Sequence, residues 1–272
     1  VTDRPLLILG GTGRLARLLR RAGLDHALWQ GRRVGPGVDL VIDPLADSVT
    51  LAAAAARARA ILCLAGPTRG SVAELSVHTP LALAALSAGQ STGVPVLLAS
   101  SAAVYGRPAG PCHEDDPLAP ASDYGRAKSG MERAVLAVAA DHPVLILRIG
   151  NVLGADALLG ADRQRRITLD ILPDGRAPRR SWIGPRALAR VLQDLSLAPP
   201  GPPAILNLSL PGAVAMDALL EAAGRPHDRV AAPPSVIPEV CLDVTRLAAR
   251  VDLSRFGQGA EALVADLRSV GT

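Results

Sequence analysis

An α/β fold, a doubly wound sheet of parallel strands followed by a small C-terminal region, is predicted by three observations. Short apolar runs alternate with helical stretches through the first half of the chain, as parallel strands buried on both faces require. A glycine-rich turn follows the first apolar run and opens a helix. The regular alternation then ends near residue 155, where arginine and proline become frequent.

The first strand is read at 6–9, four aliphatic residues with no polar face. A helix over 15–22 follows, then strands at 27–29 and 39–42. An alanine-rich helix is predicted across 46–58, a strand at 61–64, one helix over 72–88 and a strand at 94–99. Residues 107–123 carry Pro, Gly and acidic side chains and read as a loop. Ser122 or Asp123 then caps a helix over 124–140, and a sixth strand lies at 144–147. Beyond 155 come a helix over 186–196, a proline-rich turn at 199–203, a strand at 205–208 and two further helical stretches.

Composition narrows the function. The 272 residues suffice for one large α/β domain with an appendage. Aromatic residues make up 2%, so the core must be aliphatic and no stacking platform for single-stranded nucleic acid is visible. A net charge of +4 fits an anionic cofactor or substrate as well as anything larger. Cys63, Cys112 and Cys241 are far apart, and neither they nor the five histidines show metal-ligand spacing. No metal is expected, and a reducing, cytoplasmic setting is. Residues 6–9 are too short for a signal peptide, and the apolar run at 51–56 stops at Arg57, so no membrane span is expected.

Three motifs carry chemistry. In the turn Gly10-Gly11-Thr12-Gly13-Arg14-Leu15-Ala16, Gly10 permits a tight bend and Gly13 lets a pyrophosphate approach the N–H groups that open the helix. Gly10, Gly13, Arg14 and Leu15 are therefore cofactor-binding candidates. The second strand ends in Gln30-Gly31-Arg32-Arg33 without the acid that an NAD ribose prefers. NADP is favoured, with Arg32 and then Arg33 as partner of its extra phosphate and NAD as the alternative. Asp43 either accepts the adenine amino group or caps the next helix. Residues 1–155 are thus the dinucleotide-binding part, a Rossmann fold, and 156–272 a smaller substrate-binding region that partly folds back on it.

The fifth strand ends in Ser100-Ser101, and a hydroxyl at a strand's carboxyl end faces the ligand crevice of such sheets. Tyr124 and Lys128 stand four residues apart, on one helical face. The ammonium is expected to pull the phenol down from about 10 toward working pH. Ser101 would hold a substrate oxygen while Tyr124 moves its proton.

These residues resemble the extended short-chain dehydrogenases, the NAD(P)-dependent epimerase/dehydratase family that includes UDP-galactose epimerase and the sugar-nucleotide dehydratases. The resemblance rests on Gly10 to Ala16, Leu64-Ala65-Gly66, Ser-Ser-Ala-Ala-Val-Tyr-Gly from 100, Tyr-Gly-Arg-Ala-Lys from 124, and Leu-Arg-Ile-Gly-Asn-Val-Leu-Gly from 147. Arg180-Ser181-Trp182-Ile183 and Asn207 add to it. It implies Ser101, Tyr124 and Lys128 as catalytic residues, with Tyr124 and Lys128 also touching the cofactor. It further implies that Ala65 and Gly66 line the cofactor and that Asn151 and Arg180 contact a nucleotide-sugar phosphate. Two segments depart from the family: Gly184-Pro185-Arg186-Ala187 replaces His-Val-Asp-Asp, and Ser76-Val77-His78-Thr79-Pro80 replaces Asn-Val-x-Gly-Thr. The substrate half is also short. The arginines at 163, 165, 166, 176, 179 and 180 either grip a phosphorylated substrate or form a solvated surface.

The expected function is hydride movement between nicotinamide and a substrate carbonyl or alcohol carbon, on a nucleotide-sugar. Alternatives are an NADPH-dependent reductase of small carbonyl compounds and a non-catalytic NADP-binding sensor. The helices at 72–88 and 124–140 are where a homodimer would form, unless the sheet uses up their apolar faces.

Overall fold

The computed structural model describes residues 3–160, 166–197, 201 and 204–271. The first half runs β1 (Leu6–Leu9), α1 (Arg14–Arg21), β2 (Ala27–Gly31), β3 (Leu40–Val41), α2 (Ser48–Ala55), β4 (Ala60–Cys63), α3 (Val72–Leu75), α4 (His78–Thr92), β5 (Val96–Ser101), α5 (Asp123–Val138) and β6 (Val144–Ile149). The second half adds β7 (Asn151–Val152), β8 (Ile167–Ile171), β9 (Arg179–Arg180), β10 (Trp182–Ile183), α6 (Pro185–Leu197), β11 (Ala204–Leu208), β12 (Val214–Ala215), α7 (Met216–Ala223), β13 (His227–Ala231), β14 (Glu239–Val240), α8 (Thr245–Ala248) and α9 (Gly259–Ser269).

Among the described residues, seven strands form one sheet in the order β11-β6-β5-β4-β1-β2-β3, and every pairing in it is parallel. The alternation within β1 shows why the fold is doubly wound. Leu6 and Ile8 join a core with α1, α6 and α9, whereas Leu7 and Leu9 join a second core with α2, α4 and α5. An aliphatic strand with no polar face needs helices on both sides of the sheet. The strand order reverses between β1 and β4, so the crevice at their carboxyl ends is the topological switch point.

Chain beyond residue 155 contributes to this sheet, since β11 pairs with β6 in the register Ala204↔Leu145. Helices α6 and α9 pack on the α1 face. Among the described residues of the second half, three small sheets, β10-β7, β12-β9-β14 and β13-β8, accompany α7 and α8. Trp182 is fully buried there, its indole N–H donating to the Val214 carbonyl at 3.2 Å.

One expected element is corrected. The helix read over 72–88 is two helices, broken at Ser76 and Val77. Pro80 has no N–H for the Ser76 carbonyl, and its ring crowds that carbonyl, so the ladder cannot pass. Asp43 is not the cap of α2: its Oδ1 accepts from Leu45 N–H at 3.0 Å, and Asp47 caps the helix through Thr50 N–H. Ser122 caps α5 by accepting from Gly125 N–H at 3.1 Å. The stretch Val72–Thr92 has the length and mean hydropathy, 1.2, of a membrane span. Ala82, Ala85, Leu86 and Ala88 nevertheless pack it into the core beside the sheet, as a core helix does.

Candidate active site

At the carboxyl end of β1 the chain turns through Gly10 with φ +88°. A Cβ there would lie 2.7 Å from the Ala65 backbone, so only glycine lets the β1 and β4 ends approach. Gly13 is the extended residue that opens α1, and this helix has neither a side-chain cap nor an acid in its first turn. The N–H groups of Arg14, Leu15 and Ala16 are thereby left for an anion. Arg20 braces the turn by donating to the Gly11 carbonyl at 3.3 Å while stacking over Trp29, 4.4 Å from its centroid. The Arg14 guanidinium turns away to the Ala155 and Asp156 carbonyls.

At the end of β2 the buried Gln30 side chain accepts from Gly10 N–H at 3.0 Å and donates to the Ile42 carbonyl. It locks β1, β2 and β3 together and is spent in doing so. Arg32 and Arg33 are exposed, with no hydrogen bond or ion pair to the described residues. Asp43 is also exposed beside this end of the sheet.

Ser101, the last residue of β5, accepts from Ala103 N–H at 3.2 Å and faces Tyr124. Tyr124 and Lys128 lie one turn apart on α5, with the ammonium 5.9 Å from the phenol ring centroid. Lys128 is buried and donates to the Ala99 carbonyl at 2.6 Å. The structure brings Ser101, Tyr124 and Lys128 together beside the turn after β4 that holds Ala65 and Gly66. The two serines part company here. Ser100 is buried and donates to Glu132, behind the site.

The electrostatics correct the expected state of the phenol. Burial pushes Tyr124 above its usual value, with the Ser101 hydroxyl pulling the other way. The Lys128 charge does not overcome this, because its ammonium is turned to a backbone carbonyl. Lys128 is itself pushed down to about 8 by burial, opposed by Cys63 and Glu132. Tyr124 therefore keeps its phenolic proton at neutral pH.

Behind the site a buried polar network holds α5 to the sheet. Arg148 on β6 donates to Glu132 at 2.8 Å, to the Tyr105 hydroxyl at 2.9 Å and to the Glu114 carbonyl at 2.9 Å. Tyr105 donates to Asn207 on β11 at 2.7 Å. Sequence reasoning missed Glu132 and Arg148, although Tyr124, Lys128 and Glu132 recur every fourth residue on one face of a helix. It also missed His78, whose ring touches Tyr124 edge-on with centroids 5.7 Å apart.

In the second half, Asn151 on β7 is half-buried next to Ser181, whose carbonyl accepts its N–H at 2.9 Å. The Arg180 guanidinium donates to the Ile237 carbonyl at 2.8 Å and to the Arg179 carbonyl at 2.7 Å. Its neighbours are paired with acids: Arg166 with Asp228, Arg176 with Asp174 and Arg179 with Glu239. Arg163 and Arg165, like most of the turn read at 199–203, lie outside the described residues. Among the described residues no group of His, Cys, Asp and Glu is arranged to hold a metal.

Comparison with curated proteins gives no match. Solved structures share the fold along almost the whole chain. MoeE5 in complex with UDP-glucose and NAD superposes with a TM-score of 0.77 at 21% identity, covering 97% of this chain and 98% of that one. TunA, an NAD-dependent NDP-hexosamine 5,6-dehydratase of tunicamycin biosynthesis, gives 0.75 at 22% identity, covering 98% and 97%. A UDP-glucuronic acid 4-epimerase from Bacillus cereus, in complex with a UDP-sugar and NAD, gives 0.78 at 16% identity, covering 98% of each. Residues 6–172, from β1 through the crevice to β8, match the NAD dependent epimerase/dehydratase family, and the chain belongs to that family of enzymes.

Proposed function

We propose that this enzyme moves a hydride to and from a carbon of a nucleotide-sugar, with Tyr124 as the acid/base group and NADP as the preferred coenzyme. The observation that carries it is the convergence of Ser101, Tyr124 and Lys128 beside the Gly10 and Gly66 turns, at the switch point of the sheet. The residues present fit a dinucleotide: uncapped N–H groups at α1 for the pyrophosphate, and Lys128 and Tyr124 at the nicotinamide end. When bound, the coenzyme supplies the hydride acceptor and donor. Ser101 orients the substrate oxygen, and Tyr124 gives or takes the proton on that oxygen. Lys128 fixes the backbone at Ala99 and places its positive charge under the phenol, favouring transient phenolate.

Preference for NADP is supported by Arg32 and Arg33, exposed and unpaired among the described residues at a strand end whose Gln30 is internally bonded. Arg32→Ala and Arg33→Ala together should weaken NADPH about 10- to 100-fold, the worth of a charge-assisted hydrogen bond, while leaving NADH within about twofold. Isothermal titration reads both, and equal losses for the two coenzymes would remove the preference.

The nucleotide-sugar reading draws on the UDP-sugar complexes of similar fold and on near-complete coverage of those chains. A second reading, reduction of small carbonyl compounds, is favoured by the arginine-rich segment. Its described arginines are satisfied internally by acids and carbonyls, leaving little charge for a diphosphate. Thermal shift with UDP-, GDP- and dTDP-sugars in the presence of NADP separates the two. Stabilisation by any of them supports the first; none supports the second. With the responding sugar, Tyr124→Phe should bind coenzyme normally and lose at least about a hundredfold in turnover; retained turnover excludes Tyr124 as acid/base.

A further inference from the structure

The break forced by Pro80 makes His78 the first residue of α4, where it is 3% exposed. Its ring meets Tyr124 edge-on, with an interplanar angle of 72°, and its Nε2–H donates to the Pro67 carbonyl at 2.8 Å. A carbonyl only accepts, so the hydrogen of the neutral ring sits on Nε2. Neutral it stays, because burial and the Lys128 charge push His78 down to about 4. Nδ1 is then a buried acceptor with no well-formed hydrogen bond, its ring lying beside the Ala65 backbone. It lies against Gly66, where φ is +122° and a Cβ would come within 2.3 Å of Nδ1 and Cε1.

A buried acceptor without a well-formed hydrogen bond calls for a reason. An apolar side chain would fill this space without one. What it could not do is hold the turn after β4 and the tyrosine of α5 at the same time. The titratable groups around this ring pair are Lys128 on α5, Cys63 at the end of β4 and Glu132 one turn further along α5, with the Ser101 hydroxyl opposite.

We propose that His78 is a positioning residue that ties the Tyr124 ring to the Gly66–Pro67 turn, setting where the proton carrier stands relative to the dinucleotide crevice. This deepens the reading of Tyr124 as acid/base and rests on it.

The chain has two tyrosines, Tyr105 and Tyr124, so the full chain labelled with [13Cζ]tyrosine gives two carbon signals. Tyr124→Phe assigns them, and Tyr105, held in the network behind the site, is the internal control. In His78→Ala the Tyr124 titration midpoint should fall by at least about half a unit, because water relieves the burial that holds it up. Coenzyme affinity, read by NADPH and NADH fluorescence, should fall about tenfold. His78→Gln keeps a donor for Pro67 and should recover the coenzyme affinity but not the midpoint. His78→Phe keeps the edge contact and should do the reverse. If the alanine variant does not fold, the glutamine and phenylalanine variants carry the same comparison. A Tyr124 signal unchanged in every folded variant overturns the proposal. So does a Tyr105 signal that moves with it, the mark of a merely structural role. Should Tyr124→Phe keep its turnover, the acid/base reading falls while the coupling between His78 and Tyr124 can still be measured.

Discussion

Lys128 is the only lysine in the chain; every other basic side chain is arginine or histidine. The fold buries it under the phenol. A planar guanidinium with five donors could not be satisfied in that space, whereas a compact ammonium finds the Ala99 carbonyl. Burial is costly. With a folded value of about 8 against 10.5 for a free lysine, the unfolded chain holds this proton more tightly. Stability is therefore reduced by on the order of 3 kcal/mol below pH 8 and recovers as pH rises from 8 to 10.5. Lys128→Met should melt at or a few degrees above the wild type at pH 7, and that margin should shrink toward pH 10 in scanning calorimetry. A variant melting well below the wild type at pH 7 would contradict this balance. The spacing of Tyr124 and Lys128 was readable in the chain; the raised phenol was not, because desolvation depends on neighbours from β5 and α4.

At the scale of elements, α5 presents Tyr124, Lys128 and Glu132 on successive turns of one face. The first two stand beside the crevice, and the third anchors the helix to β6 through Arg148. Both partners of this pair are almost fully buried, so removing one leaves an uncompensated charge. Glu132→Ala should cost about 3–5 kcal/mol, a fall of roughly 10 °C in melting temperature for a chain of this size. Replacing Glu132 and Arg148 together with Met should recover much of the loss, as thermal denaturation of both variants would show. The signal of the broken helix was also present in the chain, since Pro80 stands inside an otherwise helical run and its position four places back is Ser76. The alanine-rich periodicity hid it. Helix ends elsewhere moved by only a few residues, as frayed termini do.

For the whole molecule, the pH response has a second component. His78 is held at about 4 against 6.5 for a free histidine, so the unfolded chain takes up this proton first. Stability is lost as pH falls from 6.5 to 4, by on the order of 3 kcal/mol. His78→Gln should flatten that part of the stability curve in urea titrations between pH 7 and 4; an unchanged slope would show the acid sensitivity to arise elsewhere. Saturating coenzyme at 100 times its dissociation constant should add about 2.7 kcal/mol at any pH where it binds.

Aliphatic runs without a polar face, separated by helical periods, determined the doubly wound sheet from the sequence by itself. Glycine at positions 10 and 13, the serine ending β5 and the tyrosine–lysine spacing determined where its crevice would be. These are local properties, fixed by backbone freedom and by periods of two and 3.6 residues. Tertiary structure decided what neighbours decide. Strand β11, about 60 residues beyond β6 in the chain, completes the sheet; Arg166 and Arg179 are paired with Asp228 and Glu239; and His78 is brought from α4 to the ring of Tyr124. Such contacts join residues far apart in the chain, and the burial and charge they create exist only once the chain has closed around them.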